Sequence, residues 1–195
     1  MQKMTLSDVQ PIAEYELTRD SYRREIMDHK RHRRVNLGPD IGITFEDRRT
    51  MLFQVQEMMR AEKMVEPATI QEELDIYNSL IPEPGELSAT LFIEITQADE
   101  IKPQLERFIG LTEGDRLWLE AGAERSYARF EEGRSTEDQI SAVHYIRFPV
   151  NARLQQALSD AGRPARLCID HRDYRHQADL SAETRRALLA DVTAD

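Results

Sequence analysis

The stretch ELDIYNSLIPEPGELSATLFIEI, residues 73–95, changes period in its middle, and that change decides the fold class. Its first part continues a run opened by Pro67, in which Ile70, Leu74 and Tyr77 recur at the spacing of an amphipathic helix with a first-turn proline. Pro82, Pro84 and Gly85 then stop any helix. Beyond them Leu87, Ala89, Leu91, Ile93 and Ile95 alternate with Ser88, Thr90, Phe92 and Glu94, which predicts a strand over 87–95 with one fully apolar face.

Helical signals dominate on the N-terminal side of this boundary. Residues 7–33 read as helical, with Ser7 suited to cap a first helix, Thr18 or Asp20 a second, and Pro11 placed in a first turn. Val35, Leu37, Ile41, Ile43 and Phe45 alternate around Gly38-Pro39-Asp40, the pattern of a hairpin. Residues 48–64 carry Met51, Leu52, Val55, Met58 and Met59 on one helical face, which suits a homodimer interface as well as a core. On the C-terminal side, strands are predicted at 115–122, 125–131, 140–150 and 164–170. Helices are predicted around 98–109, at 151–161, and after Ser181. No linker or repeat interrupts this order. The expectation is one α+β domain over residues 1–195, with a helix-rich N-terminal half packed on a mostly antiparallel or mixed sheet.

Lys+Arg 26 against Asp+Glu 36 in 195 residues leave a net charge of −10. That charge is uneven: residues 23–34, RREIMDHKRHRR, hold six basic residues against two acids, so a basic strip of +4 sits on a body of −14. The acidic body repels polyanions and the strip lacks interleaved aromatics, so nucleic acid is not an expected partner. No apolar run is long enough to span a bilayer, and a polar, acidic start offers no signal-peptide pattern. With Cys168 as the single cysteine there is no internal disulfide; a cytoplasmic location is expected and no membrane partner.

Nucleotide-binding glycine patterns, zinc-protease and hydrolase signatures and paired cysteines are all missing, so no cofactor is designated and neither is a reaction. Four groups of residues carry candidate chemistry. Glu57 and Arg60, with Gln54, share a helix face, and the acids Glu62, Glu72, Glu73 and Asp75 nearby suit a hard cation if they point inward. His144 stands in the otherwise apolar row Ile140, Ala142, Ile146, Phe148, where burial demands a hydrogen bond or a ligand, with Glu94 a partner if its strand face is covered. Arg134, in the loop at 130–139, suits an anion or partner contact. His171 and His176 with Asp170 or Asp173 have the residue types of a transition-metal site.

The segments RRVNLGP (33–39), TMLFQVQEMMRAE (50–62), the 73–95 stretch and FEEGRSTEDQISAVHYIRFPV (130–150) make the chain similar to a bacterial family known as domain of unknown function 3501. Members of that family are encoded beside rubrerythrin-like and iron–sulfur oxidoreductase proteins, so the resemblance implies a link to redox or oxidative-stress metabolism. Two expectations follow from different classes. One is an accessory or interaction protein that docks on a redox protein partner through the basic strip. The other is a metal- or small-ligand-binding enzyme with a pocket between helices and sheet, built from Glu57, Arg60, Glu94, Arg134 and His144.

Overall fold

The structure, a computed structural model, describes residues 1–97, 100–133 and 139–194. A single helix, α1 (Ile12–Arg31), replaces the two expected before residue 33; Pro11 occupies its N-cap. The hydroxyl of Thr18 donates back to the carbonyl of Tyr15 at 3.3 Å instead of starting a new helix, and nothing between 12 and 31 interrupts the ladder. The hairpin β1 (Arg34–Leu37) and β2 (Ile41–Glu46) follows as expected, then α2 (Arg48–Glu62) and α3 (Pro67–Asn78). Asp47 caps α2 by accepting from the Thr50 amide at 2.9 Å. The remaining order is β3 (Glu86–Ile93), α4 (Ile101–Glu106), β4 (Leu117–Ala121), β5 (Glu124–Tyr127), β6 (Arg129–Phe130), β7 (Val143–Pro149), α5 (Ala152–Ser159), β8 (Ala165–His171), β9 (Tyr174–Asp179) and α6 (Ala182–Thr193).

The fold is α+β, but the strands form two antiparallel sheets rather than one: β1-β2-β3-β7-β6 and β5-β4-β8-β9. The chain changes sheet at Ala128, whose amide donates to Leu117 at 2.8 Å, while three residues on the Glu131 amide donates to Tyr145 at 3.0 Å. At the opposite edges, the Tyr174 hydroxyl donates to the Leu37 carbonyl and accepts from the Asp40 amide at 3.0 Å, tying β9 to the β1–β2 turn. Gly38 in that turn has φ +73°, and a Cβ there would lie 2.6 Å from the His176 ring. β9 itself is an addition to the expected elements. Its inward residues include a tyrosine and a histidine, so its alternation carries almost no hydropathy contrast.

Two hydrophobic cores result. Ile43, Phe45, Leu91 and Phe148 on one face of the five-stranded sheet pack with Leu119 and Leu167 of the other sheet and with Leu158 and Leu188 of α5 and α6. Met51, Val55, Met59, Ile70 and Leu74 of α2 and α3 form the second core, with Tyr145 packed against it from the sheet's other face. β2 is therefore buried along its whole length. Met51, Val55 and Met59 of α2 are covered from within the chain, so this stripe is core and not a dimer interface.

Candidate functional site

The face of the five-stranded sheet beneath α2 and α3 is polar where an apolar face would be the cheaper choice. Thr44, Glu46, Ser88 and Thr90 are all buried there. The strand register sets Glu46 opposite Ser88, Ser88 opposite Arg147 and Arg147 opposite Arg129, so one row of polar side chains crosses four strands from the interior to the edge. At its inner end Glu46 is 2% exposed. Its Oε1 accepts from the Thr90 hydroxyl at 2.7 Å and is reached by Gln54 Nε2 at 3.5 Å, while Oε2 has no hydrogen-bond partner among the described residues.

At its outer end the row opens into a cleft of about 300 Å³ between the sheet and the C-terminal end of α3, lined by Ser79, Leu80, Ser88, Arg129, Tyr145 and Arg147, with Glu131 at its rim as the one carboxylate among the described lining residues. Arg147 pairs with Glu86 and donates to the Ser79 carbonyl, and burial pulls its guanidinium below its ordinary value. Arg129 is exposed and makes no ion pair among the described residues. Two cations directly opposite each other across a strand pair are destabilising. Together with the hydroxyl-bearing Ser88 and Tyr145, they present donors suited to an oxyanion.

Among the described residues, Glu57, Arg60, Glu94 and His144 do not assemble into one pocket. Glu57 accepts from Arg19 Nε and Nη2, each at 2.7 Å, and from the Tyr15 hydroxyl at 2.7 Å, and Arg60 donates to Glu16 at 2.6 Å. These residues latch α2 to α1 instead of lining the cleft. Arg19 holds the Glu57 carboxyl below the usual carboxylate range, and burial followed by Glu57 pushes the Tyr15 hydroxyl up. A carboxylate with a lowered folded pKa contributes stability that is complete above its unfolded pKa, about 4.3, and is lost as pH falls through the folded value. Glu57→Gln is therefore expected to flatten the fall in unfolding free energy on acidification below about pH 5, as read by urea titrations at stepped pH.

Glu94 pairs with Arg34 at 2.6 Å, and His144 is fully buried with Nε2 2.8 Å from the Ser141 carbonyl and its ring edge-on to Phe130 at 5.8 Å. His144 pairs in register with Leu91 on the inner face, whereas Glu94 follows the opposite alternation. The two stand on opposite sides of the sheet, which removes the His144–Glu94 pairing. Arg134 lies outside the described residues.

The metal candidates separate for the same reason. Asp170 points outward to Arg175 at 2.9 Å, while His171 points inward, 3.2 Å from the Arg107 carbonyl and stacked on Phe108, and burial pulls its imidazole below its ordinary value. His176 packs on Tyr174 with ring centroids 4.4 Å apart. Among the described residues no group of three or more His, Cys, Asp or Glu is placed to hold a metal ion, and this includes the acids of α2 and α3.

Two of the six basic residues of the strip, Arg33 and Arg34, are used inside the chain, and so is its His29. Arg33, 4% exposed, donates to both oxygens of Asp191 at 2.6 and 2.9 Å and pairs with Asp47 at 2.9 Å, while His29 Nε2 lies 2.6 Å from Asp47. Arg34 is taken by Glu94, which leaves Arg23, Arg24, Lys30 and Arg31 on the outside of α1.

Comparisons place this arrangement among known proteins. A family model described as Protein of unknown function (DUF3501) matches residues 3–192. No curated protein matches the chain. The crystal structure of a novel protein of unknown function from Burkholderia pseudomallei K96243 is similar over 98% of this chain and 100% of its own, at 30% identity and a TM-score of 0.89. No described helix is long and apolar enough to cross a membrane.

Proposed function

Because the chain belongs to the family described as Protein of unknown function (DUF3501), and two of the segments that carry the likeness line one cleft, we propose that it is a small-ligand-binding protein. Residues 73–95 supply Ser79, Leu80 and Ser88 to that cleft, and residues 130–150 supply Tyr145 and Arg147. The ligand is a small molecule bearing a carboxylate or phosphate. What carries this reading is the cross-strand pair Arg147–Arg129 at the mouth of a buried polar row. Two cations opposite each other cost stability, Glu86 offsets part of that cost at Arg147, and an oxyanion seated between the two guanidiniums offsets the rest.

Thermal unfolding against a panel of mono- to tricarboxylates and phosphate esters tests it. A ligand at about 100 times its Kd stabilises the fold by roughly 2.7 kcal/mol. Arg129→Ala is expected to leave the unliganded protein within about 0.5 kcal/mol of wild type, as is usual for an exposed side chain. Its affinity for the same ligand is expected to fall at least about tenfold, or about 1.4 kcal/mol. A panel in which nothing stabilises the protein, or in which wild type and variant are stabilised equally, overturns the reading.

A further inference from the structure

We propose, resting on the reading of the cleft as an oxyanion site, that its ligand is a free 2-amino acid with an apolar side chain. The ligand's carboxylate lies between Arg129 and Arg147, and its ammonium donates inward to Ser88. Ser88 is 3% exposed and lines the cleft, yet its hydroxyl makes no hydrogen bond among the described residues. Opposite it in register stands Glu46, whose Oε2 has no hydrogen-bond partner among the described residues either. Side chains opposite each other in an antiparallel pair have Cβ atoms about 4.5–5.5 Å apart, so a change of rotamer brings the Ser88 hydroxyl within reach of Glu46. Donating to Glu46, Ser88 keeps its lone pairs for a donor from the cleft, and a plain oxyanion supplies none. Unpartnered polar groups at buried positions are rare, and two in facing register positions mark a place where a bound donor completes the hydrogen bonding.

The charges around the cleft fit a zwitterion better than a plain anion. Arg129 and Arg147 stand among carboxylates: Glu86 pairs with Arg147, Glu131 is at the rim, and Glu46 lies inside. Glu83, itself paired with Lys3, adds to the field at Arg147. In the row Glu46, Ser88, Arg147, Arg129, an ammonium held by Ser88 is on the carboxylate side and the ligand's carboxylate on the arginine side, so each end faces the opposite charge. Leu80, 7% exposed, gives the wall an apolar surface for a short aliphatic side chain. At about 300 Å³ the cleft is at the small end of ligand pockets, which suits a molecule of about nine non-hydrogen atoms such as leucine.

Isothermal titration calorimetry of the full chain with L-leucine, 4-methylpentanoate and citrate, each to about 20 mM, tests the proposal. The first two share a carbon skeleton and a carboxylate and differ in the amino group alone, while citrate is a plain oxyanion. L-leucine is expected to bind at least about tenfold more tightly than 4-methylpentanoate. In Ser88→Ala, and in Glu46→Gln, which keeps an acceptor for the Thr90 hydroxyl, that preference is expected to fall to within about twofold, with circular dichroism unchanged. If citrate binds and L-leucine does not, if L-leucine and 4-methylpentanoate bind equally, or if the folded Ser88→Ala keeps the preference, the amino acid is overturned and the oxyanion reading stands. If none of the three binds, both fall.

Discussion

Replacing Arg33 by alanine is expected to lower the free energy of unfolding by about 3–5 kcal/mol, the range for removing one partner of a buried ion pair. Two carboxylates, Asp191 and Asp47, depend on this guanidinium, and both are buried. Burial already pushes the Asp191 carboxyl above its ordinary value against the pull of Arg33, so without the arginine it binds a proton still more readily. A carboxyl whose folded pKa is raised opposes folding as pH rises through that pKa, so the deficit of the variant is expected to be smaller near pH 4 than at pH 7. Guanidinium titrations at the two pH values measure it. The cluster also joins distant parts of the chain, since Arg33 precedes β1, Asp47 caps α2 and Asp191 lies in the last turns of α6. Replacing Arg33 and Asp191 together by apolar residues of matched volume is expected to recover part of the loss, because no unpaired charge then remains at that pair.

The second large effect concerns the two cores. Phe148→Ala removes a fully buried ring that packs on Phe45 at a centroid distance of 5.9 Å, and about 3–5 kcal/mol is expected. Leu74→Ala opens the helical core, where about 2–5 kcal/mol is expected. If residues 1–195 form one domain, as the sequence leads one to expect, both substitutions move the midpoint of one and the same transition. The shared sheet is the reason for that coupling: β2 has one core on each side of it, so neither core can open without exposing it. Two separable transitions, with each variant moving a different one, would instead make the helical layer an independent unit.

The N-terminal hairpin and the stripes of α2 and α3 were legible in the sequence because hydropathy there follows a clean period. The false break in α1 came from cap-type residues, Thr18 and Asp20, that sit mid-helix with their side chains turned to other uses or to solvent. The second sheet depends on a corner at Ala128, which no composition signal marks. β9 was hidden because Tyr174 and His176 face inward through polar tips.

The site shows the same difficulty in a sharper form. Alternation in β7 draws the eye to His144, the polar member of an apolar row, which is a core histidine held by Ser141. Tyr145 and Arg147, on the other face of that strand, carry no hydropathy signal that would single them out. The α2–α3 layer covers that face, and polarity there marks a buried row and not exposure. Register, which sets Arg147 opposite Arg129, is a long-range property that no local pattern reveals.

The most direct test of the oxyanion cleft is a nitrogen–proton correlation NMR titration of the full chain with citrate and with inorganic phosphate. Shifts are expected to concentrate at Ser79, Leu80, Ser88, Arg129, Tyr145 and Arg147, and to vanish in Arg129→Ala. Shifts confined to other surfaces, or unchanged by that substitution, would contradict it.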